Sequence, residues 1–292
     1  MTTVIHSARL VDDGRVADDA WVVLGDDARV AQAGTGDGWR EHPADAIEDA
    51  AGDILAPGFI DLHGHGGAGA AYDDGPDAVR AARALHRAHG TTRAVVSLVT
   101  GTLDDIAAGA AMVADLMRTD ADILGSHLEG PFLDPGHKGA HDEALLRSPD
   151  ADEIARLLDA GRGTVLQVTL APELPGGLDA VQQIVAAGAV AAVGHTGADA
   201  ALTAAAFDAG ATILTHAFNA MPGLHHRLPG PVGAATADPR VTLEIIADGV
   251  HLHPEVVRLA FAAAPGRIAL VTDAMAAAGA DDGVYTLGSL SV

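Results

Sequence analysis

Eight short apolar runs alternate with alanine-rich, helix-like segments from residue 54 onwards. The runs span residues 54–62, 94–99, 123–128, 165–170, 190–193, 212–214, 241–247 and 268–271. Most of them are continuously apolar, as expected of strands that are buried on both faces. Strands and helices that alternate in this way pair in parallel, and eight such units in roughly 240 residues are typical of a (β/α)8 TIM-like barrel.

The first part of the chain has a different pattern, in which short β-like segments are separated by polar turns. The segments are residues 3–5, 21–24 and 29–31, and the turns are Asp-Asp-Gly at 12–14 and Gly-Asp-Asp at 25–27. Asp and Gly in these positions are typical of tight turns between strands. The sequence therefore predicts a small β-domain at residues 1–54 and the barrel at residues 55–292.

Six of the eight predicted strands are followed at once by a histidine, a glutamate or an aspartate. The C-terminal ends of barrel strands meet at one rim, where the active sites of this fold lie. The residues that this places on the rim are His63, His65, Glu129, His195, His216, His251 and Asp273. Each alone has a structural explanation, such as a buried histidine with its own partner or an aspartate that caps a helix. Together they predict a metal site, because independent core residues do not converge on one rim.

The donor types narrow the choice of metal. Imidazole and carboxylate ligands without thiolate suit Zn²⁺ first, and also Fe²⁺, Co²⁺, Ni²⁺ and Mn²⁺, and the sequence contains no cysteine. Glu129, His195 and His216 supply three ligands for one tightly bound ion. Three protein ligands leave an open position for water, as catalytic rather than structural sites do.

Two further expectations follow for the same rim. His63 and His65 lie two residues apart, so in an extended chain they point to one face. They provide a second, weaker metal position that shares Glu129 with the first. Asp273, after the eighth strand, is the expected proton acceptor and later proton donor of a hydrolytic reaction.

Charge and composition exclude several classes of protein. The chain has 40 acidic and 17 basic side chains and a formal net charge of −23, which disfavours binding to nucleic acid or anionic membranes. No apolar run reaches the roughly 18 residues of a membrane-spanning helix. The N-terminal residues lack the basic start and apolar middle of a signal peptide, so we expect a cytoplasmic protein without nucleic-acid or membrane partners.

Longer motifs surround the rim residues. They are APGFIDLHGH at 56–65, HLEGPF at 127–132, KGAH at 138–141, VGHT at 193–196, THAFNAM at 215–221, LHHRLPG at 224–230 and DGVH at 248–251. On these motifs, nearly the whole chain resembles the amidohydrolase superfamily and, within it, the N-acetylglucosamine-6-phosphate deacetylase family. HLEGPF together with THxFNAM is highly specific to that family, whereas the first motif is common in the superfamily.

The resemblance implies a reaction and a set of residue roles. The reaction is hydrolysis of the acetamide of N-acetylglucosamine 6-phosphate to glucosamine 6-phosphate and acetate, in amino-sugar metabolism. Metal ligation by Glu129, His195 and His216 and acid/base chemistry by Asp273 are implied as well. The residues implied to contact the sugar are Ala140, His141 and His251, and those implied to hold the phosphate are Asn219, Ala220 and Arg227. The family is commonly dimeric, so Arg227 serves either its own site or that of the neighbouring subunit.

Three functions stay open at this point. The first is hydrolysis of the glucosamine substrate, and the second is hydrolysis of its galactosamine epimer or the reaction of a cyclic amidase of the superfamily. The third is a truncated metal-binding protein without catalytic activity. Members of the family continue beyond the eighth strand through a last helix and strands that complete a small β-sandwich domain, whereas this sequence stops at residue 292. The C-terminal part of that sandwich is therefore expected to be missing. Some members also lack the paired histidines and use a single metal.

Overall fold

The computed structural model describes residues 1–27 and 29–292, which fold as two compact units. The first unit comprises Met1–Phe59 and the second Ile60–Val292. The predicted functional residues all belong to the second unit.

The first unit is built on one mixed, five-stranded sheet. Its strands are β1 (Thr3–Asp12), β2 (Arg15–Leu24), β3 (Val30–Thr35), β4 (Ala46–Asp49) and β5 (Ile54–Leu55). The order is β3-β2-β1-β4, with β5 also pairing with β1; the first three strands are antiparallel, and β4 and β5 run parallel to β1. Val4, Trp21 and Val23 form its small core, with Trp39 packed against them. In the described residues, this unit contains a single sheet.

The first predicted barrel strand, residues 54–62, is in fact two strands. Residues 54 and 55 form β5 in the first unit, and β6 (Phe59–Asp61) joins the barrel sheet. The interruption falls at Pro57, which has no N–H group to donate to a strand ladder. Because β5 pairs with β1, the two units divide at residues 59 and 60, beyond the boundary expected at 54 and 55.

The second unit confirms the predicted barrel. Between β6 and the next barrel strand, a separate two-stranded ribbon is formed by β7 (Gly66–Gly67) and β8 (Ala70–Ala71). The barrel sheet has eight strands in chain order: β6, β9 (Thr91–Leu98), β10 (Ile123–Glu129), β11 (Val165–Leu170), β12 (Val190–Val193), β13 (Ile213–Leu214), β14 (Thr242–Ile246) and β15 (Ile268–Val271). From β9 to β15, all neighbouring strands are parallel. Hydrogen bonds from Asp273 N–H to the His63 carbonyl (2.9 Å) and from His65 N–H to the Ala274 carbonyl (2.7 Å) link the chain beyond β15 to the chain beyond β6.

One α-helix lies in each connection between consecutive barrel strands. The helices are α1 (Pro76–Ala88), α2 (Leu103–Leu116), α3 (Ala151–Ala160), α4 (Gly177–Ala186), α5 (Ala200–Asp208), α6 (Gly230–Ala237) and α7 (Pro254–Ala263), and a hairpin of β16 (Thr286–Leu287) and β17 (Leu290–Ser291) follows β15. Side chains of Thr102, Asp150 and Asp199 accept hydrogen bonds from first-turn N–H groups and so cap α2, α3 and α5. None of the described helices has the length and apolar character needed to cross a bilayer.

The main core lies between the barrel and its helices, and strand alternation decides which residues enter it. In β14, Leu243 and Ile245 belong to this core, whereas Ile246 lines a cavity at the barrel mouth. Glu244 is completely buried between the two core residues. Adjacent side chains of a strand point to opposite faces, so Glu244 projects into the barrel and away from the helices.

Gly194, directly after β12, allows the close packing below the rim. A Cβ atom at this position would lie 2.7 Å from Thr215 Cβ and 2.8 Å from Thr169 Cγ2. Both neighbours are completely buried and cannot move aside without shifting the barrel interior.

We predict that Gly194→Ala lowers the free energy of unfolding by about 1–3 kcal/mol, the usual cost of overpacking a core. The matched control is Gly223→Ala, because a Cβ at Gly223 meets no atom within 4 Å. Urea unfolding of both variants measures the difference. Equal stability of the two variants would contradict the close packing at Gly194.

Candidate active site

The carboxylate of Glu129, at the end of β10, is the centre of the rim cluster. Its side chain is almost fully buried, and nitrogen atoms of five imidazoles lie within 3.5 Å of its oxygens. The distances are 2.9 Å to His65, 3.2 Å to His195 and His216, 3.4 Å to His63 and 3.5 Å to His141. Residues that follow four different strands therefore surround one negative charge.

His195 and His216 point their Nε2 atoms at the same place. These two nitrogens are 2.9 Å apart, and each lies 3.2 Å from Glu129 Oε1. His195 Nδ1 donates to the His137 carbonyl at 2.9 Å, so its Nε2 carries a lone pair in the neutral ring. Two imidazole nitrogens that converge beside a carboxylate are a donor set that fits a divalent cation.

His63 and His65 form a second pair of the same kind. Their Nε2 atoms are 3.1 Å apart, and His63 Nδ1 lies 3.1 Å from the Glu244 carboxylate. Asp273 Oδ1 lies 3.3 Å from His63 Nε2 and 3.4 Å from His65 Nε2. Ligand atoms of His63, His65, Glu129 and Asp273 all lie within 4.8 Å of one another. This donor set also fits a divalent cation, with Glu129 common to both positions.

His141, which was predicted to contact the sugar, also lies within the cluster around Glu129. Its ligand atom groups with those of Glu129 and His195, and its Nδ1 lies 2.8 Å from Thr100 Oγ1. The Thr100 hydroxyl donates to the Glu129 carbonyl at 3.1 Å. It therefore accepts from His141 Nδ1–H, and this bond directs Nε2 of His141 towards the Glu129 carboxylate.

Burial and close contact shift the pKa values of the groups in this cluster. Burial alone would raise the pKa of Glu129 and of Asp273, but the neighbouring imidazoles, His63 foremost by charge, lower both well below their usual range. Burial would lower the pKa of His65, yet its hydrogen bonds to Asp273 and Glu129 raise it to about 9. Burial lowers the pKa of His195 to about 4, so this ring is neutral and available as a ligand at neutral pH.

Three of the converging residues have a left-handed backbone. The φ angles are 47° for His195, 27° for His216 and 46° for Asp273. Non-glycine residues adopt this region at a cost of roughly 1–3 kcal/mol, and such residues concentrate at functional sites. Each of the three follows the end of a barrel strand, where the chain turns sharply over the barrel mouth. Ala220, on the turn after His216, has a φ angle of 48°.

A cavity of about 330 Å³ opens beside the cluster. It is lined by five of the six residues expected to contact substrate, Ala140, His141, Asn219, Ala220 and His251, together with Asp273. His251 Nδ1 lies 2.8 Å from Asp248 Oδ2, which fixes its ring at the edge. Arg227 is exposed and does not line this cavity, so within one chain the structure does not bring it to the other site residues.

Glu244 is a further buried residue of the site that was not predicted from the sequence. The residue lies inside a run that was counted as an apolar strand, yet its carboxylate accepts hydrogen bonds from Gln167 Nε2 (2.9 Å) and His216 N–H (3.4 Å) as well as contacting His63. A charged residue within the short sequence TLEII was the available signal, since a fully buried carboxylate requires donors around it.

A parallel barrel with carboxylate-bridged imidazoles at the C-terminal ends of its strands is the arrangement of a metal-dependent hydrolase. Residues 54–286 match the amidohydrolase family, and the chain belongs to that family. It is therefore a hydrolytic enzyme of a family that uses divalent metal.

Individual relatives are similar along most of their length. The N-acetylgalactosamine-6-phosphate deacetylase of Escherichia coli O157:H7 is 39% identical over 292 residues, covering 98% of this chain and 75% of the relative. The N-acetylglucosamine-6-phosphate deacetylase of Vibrio furnissii is 37% identical over 278 residues, covering 94% and 69%. A mutant N-acetyl-D-glucosamine-6-phosphate deacetylase from Mycobacterium smegmatis, solved in complex with N-acetyl-D-glucosamine-6-phosphate, superposes with a TM-score of 0.92 at 44% identity, covering 100% of this chain and 75% of that one.

We predict that the metal-free protein loses stability as the pH rises from about 6.5 to about 9, the raised pKa of His65. The folded state holds this proton between Glu129 and Asp273 more tightly than the unfolded chain does. Its contribution, on the order of 3 kcal/mol, is therefore fully present below about pH 6.5 and is lost gradually as the pH rises to about 9. Urea unfolding of chelated protein across this pH range measures the slope. His65→Asn should flatten it, and an equal slope in the variant would contradict the assignment.

Proposed function

We propose that this chain is a metal-dependent deacetylase that hydrolyses the acetamide of N-acetyl-D-glucosamine 6-phosphate to D-glucosamine 6-phosphate and acetate. The observation that carries the proposal is the Glu129 carboxylate surrounded by imidazoles at the edge of a cavity of about 330 Å³. The names of the relatives support the substrate class. The reaction belongs to amino-sugar catabolism and cell-wall recycling, and we place the enzyme in the cytoplasm.

Glu129, His195 and His216 would hold the tightly bound ion, for which Zn²⁺ is the first candidate. His63 and His65 would hold a second, weaker ion that shares Glu129. When bound, a divalent cation supplies Lewis-acid polarisation and lowers the pKa of water. The left-handed turns after β12 and β13 aim the imidazoles of His195 and His216 at one point, where they would hold the first ion.

Asp273 moves the proton in this proposal. Its carboxylate is ionised, because its pKa is lowered in spite of burial, and it faces the cavity beside His65. It accepts the proton of the attacking water and returns it to the amine leaving group. Asp273 Oδ1 lies 3.4 Å from His65 Nε2 and 3.3 Å from His63 Nε2, so the carboxylate lies beside the position proposed for the second ion.

His141 stabilises the oxyanion that develops on the acetyl carbonyl. Its Nδ1–H is engaged by Thr100, so donation to substrate must come from Nε2. The Glu129 carboxylate lies 3.5 Å from the same nitrogen. A hydrogen-bond donor aimed at developing negative charge is among the more effective catalytic devices.

The substrate is held at two ends. Ala140, His141 and His251 contact the sugar, and Asn219, Ala220 and Arg227 bind the phosphate. A guanidinium fork matches a phosphate in geometry and charge, and it offsets the repulsion of a dianion by a chain of net charge −23. Because Arg227 lies outside the cavity of its own chain, we propose that it serves the neighbouring subunit of a homodimer.

A second candidate substrate is N-acetyl-D-galactosamine 6-phosphate. The relative of 39% identity from Escherichia coli O157:H7 is named for that epimer. The two sugars differ in the orientation of one hydroxyl, which a few contacts at the cavity edge distinguish.

One set of hydrolysis assays tests the proposal and its alternatives together. The metal-loaded protein is assayed for acetate release from N-acetylglucosamine 6-phosphate and N-acetylgalactosamine 6-phosphate, and for ring opening of a hydantoin as a cyclic amide. Faster turnover of the glucosamine compound supports the proposal. Preference for the galactosamine compound or for the hydantoin replaces it with the corresponding activity, and turnover of none of them, with metal bound, leaves a non-catalytic metal-binding protein.

Asp273→Asn should keep its bound metal at the Glu129, His195 and His216 position and lose turnover by about 10²–10⁴-fold, because an amide cannot carry the proton. Metal content and the single-turnover rate are measured on the same sample. Near-normal turnover at full metal occupancy would remove Asp273 from the mechanism.

Arg227→Ala should raise KM for the 6-phosphate substrate by roughly 10–100-fold, as expected for loss of a charged hydrogen bond. Residual activity on unphosphorylated N-acetylglucosamine should be spared. Equal losses for both substrates would indicate a structural role instead.

Mixing subunits locates Arg227. Dimers that combine an Arg227→Ala chain with an Asp273→Asn chain contain one intact site if Arg227 acts across the interface, so the mixture should regain activity that neither variant has. The control is each variant mixed with itself. A mixture without regained activity places Arg227 in the site of its own chain.

Mild chelation should remove the ion at His63 and His65 first. That position offers two neutral imidazoles and must share Glu129 with a neighbouring dication about 3.5–4 Å away. We expect one equivalent of metal to remain, with much of the activity. His63→Asn should bind metal and turn over substrate in the same way as the partly chelated protein. His195→Asn should abolish both metal binding and activity. Activity that disappears in step with the first equivalent removed would mean that both ions are catalytic.

A further inference from the structure

Glu244 is a buried charge that the proposed chemistry does not use. It lies on β14 below the rim, with no exposed surface, and its oxygens face three donors that come from three other parts of the barrel. Oε2 lies 3.1 Å from His63 Nδ1 and 3.4 Å from the His216 backbone nitrogen, and Oε1 lies 2.9 Å from Gln167 Nε2.

The surrounding backbone holds this carboxylate in one place. Gln167 lies on β11 and is itself almost fully buried. The carbonyl of Glu244 accepts from Ala217 N–H at 2.8 Å. Glu244 therefore joins β14 to the turn that carries His216, through its main chain and its side chain together.

The contact with His63 has a consequence for that ring. A carboxylate beside Nδ1 makes this nitrogen the donor, so the neutral ring has its lone pair on Nε2. Nε2 is the atom that faces His65 at 3.1 Å and Glu129 at 3.4 Å. Within the described residues, His65 Nδ1 has no corresponding acceptor, so the orientation of this pair relies on the His63 side.

We propose that Glu244 is a positioning residue for metal binding, which holds His63 in the Nδ1–H tautomer and thereby sets the affinity of the ion shared by His63, His65 and Glu129. Gln167 assists by orienting the carboxylate. The inference rests on the metal site of the proposed function. It adds that occupancy of the second position is controlled from inside the barrel, by a residue that touches neither metal nor substrate.

The test uses two substitutions of graded effect and one control. Glu244→Gln removes the charge but keeps one oxygen that can accept from His63, whereas Glu244→Met removes the acceptor altogether. Thr203→Val is the control, because it deletes a fully buried hydroxyl in α5 whose partner, the Asp199 carbonyl at 2.7 Å, does not belong to the rim cluster. Titration with Zn²⁺ or Co²⁺ against a competing chelator gives the affinity of each equivalent, and His63→Asn identifies the equivalent that uses His63.

Loss of an orienting partner of a metal-bound histidine costs about 10–100-fold in affinity. We therefore expect Glu244→Gln to weaken the second equivalent by about tenfold and Glu244→Met by up to about 100-fold, with the first equivalent less affected and Thr203→Val unchanged. The proposal is overturned if Glu244→Met binds the second equivalent as the unsubstituted protein does, or if Thr203→Val weakens it equally. It is also overturned if the unsubstituted protein binds only one equivalent.

A measurement on the unsubstituted protein does not depend on how the variants fold. Nitrogen-15 spectra of histidine-labelled, metal-loaded protein should show the His63 ring protonated at Nδ1, and protonation at Nε2 would contradict the proposal. Acetate release from the same sample tests the deacetylase function separately. A protein that deacetylates its substrate while His63 has the other tautomer would refute the role of Glu244 alone.

Discussion

The buried carboxylate of Glu129 is the group on which the rest of the site depends. Removing a carboxylate from water costs several kcal/mol unless partners of opposite charge and hydrogen-bond donors surround it. Here the partners are five imidazoles from four segments of the chain. The backbone accommodates this convergence with left-handed turns at His195, His216 and Asp273, so local strain is balanced by the electrostatics of one centre.

A polar layer inside the barrel supports that centre from below. His127 contacts Ser97 (2.9 Å) and Thr169 (2.8 Å), and Thr169 contacts Thr215 at 2.9 Å. Interiors of this fold are usually filled with branched aliphatic side chains, whereas these residues form a hydrogen-bonded chain from β9, β10 and β11 to the turn after β13. Burial and the charge of His63 keep the pKa of His127 well below its usual range, so this ring contributes hydrogen bonds and no charge. A satisfied network of this kind is rigid, and it gives the rim residues a fixed base.

Much of the fold could be predicted from the sequence, because its signals are local. Continuous apolar runs that alternate with alanine-rich segments predicted parallel strands and helices, and the structure has β9 to β15 in the predicted places and order. The rim residues were found by the same reasoning, since whatever follows a barrel strand lies at its C-terminal end. The exception among the strands is residues 54–62, where Pro57 divides one apolar run between two sheets. Hydrophobicity alone does not show which partner strand each half will choose.

What the sequence by itself determined is therefore which residues reach the barrel mouth. Only the tertiary structure decided how they meet there, because distances between side chains on different strands depend on the twist and closure of the barrel. In the folded chain, His141 lies 3.5 Å from Glu129, and Arg227 lies outside the cavity. Glu244, which the sequence places within an apolar strand, contacts His63. A buried charge acquires its role from the donors that surround it, and those donors come from β11, from the turn after β13 and from the chain beyond β6, segments distant in sequence and adjacent only in the folded barrel.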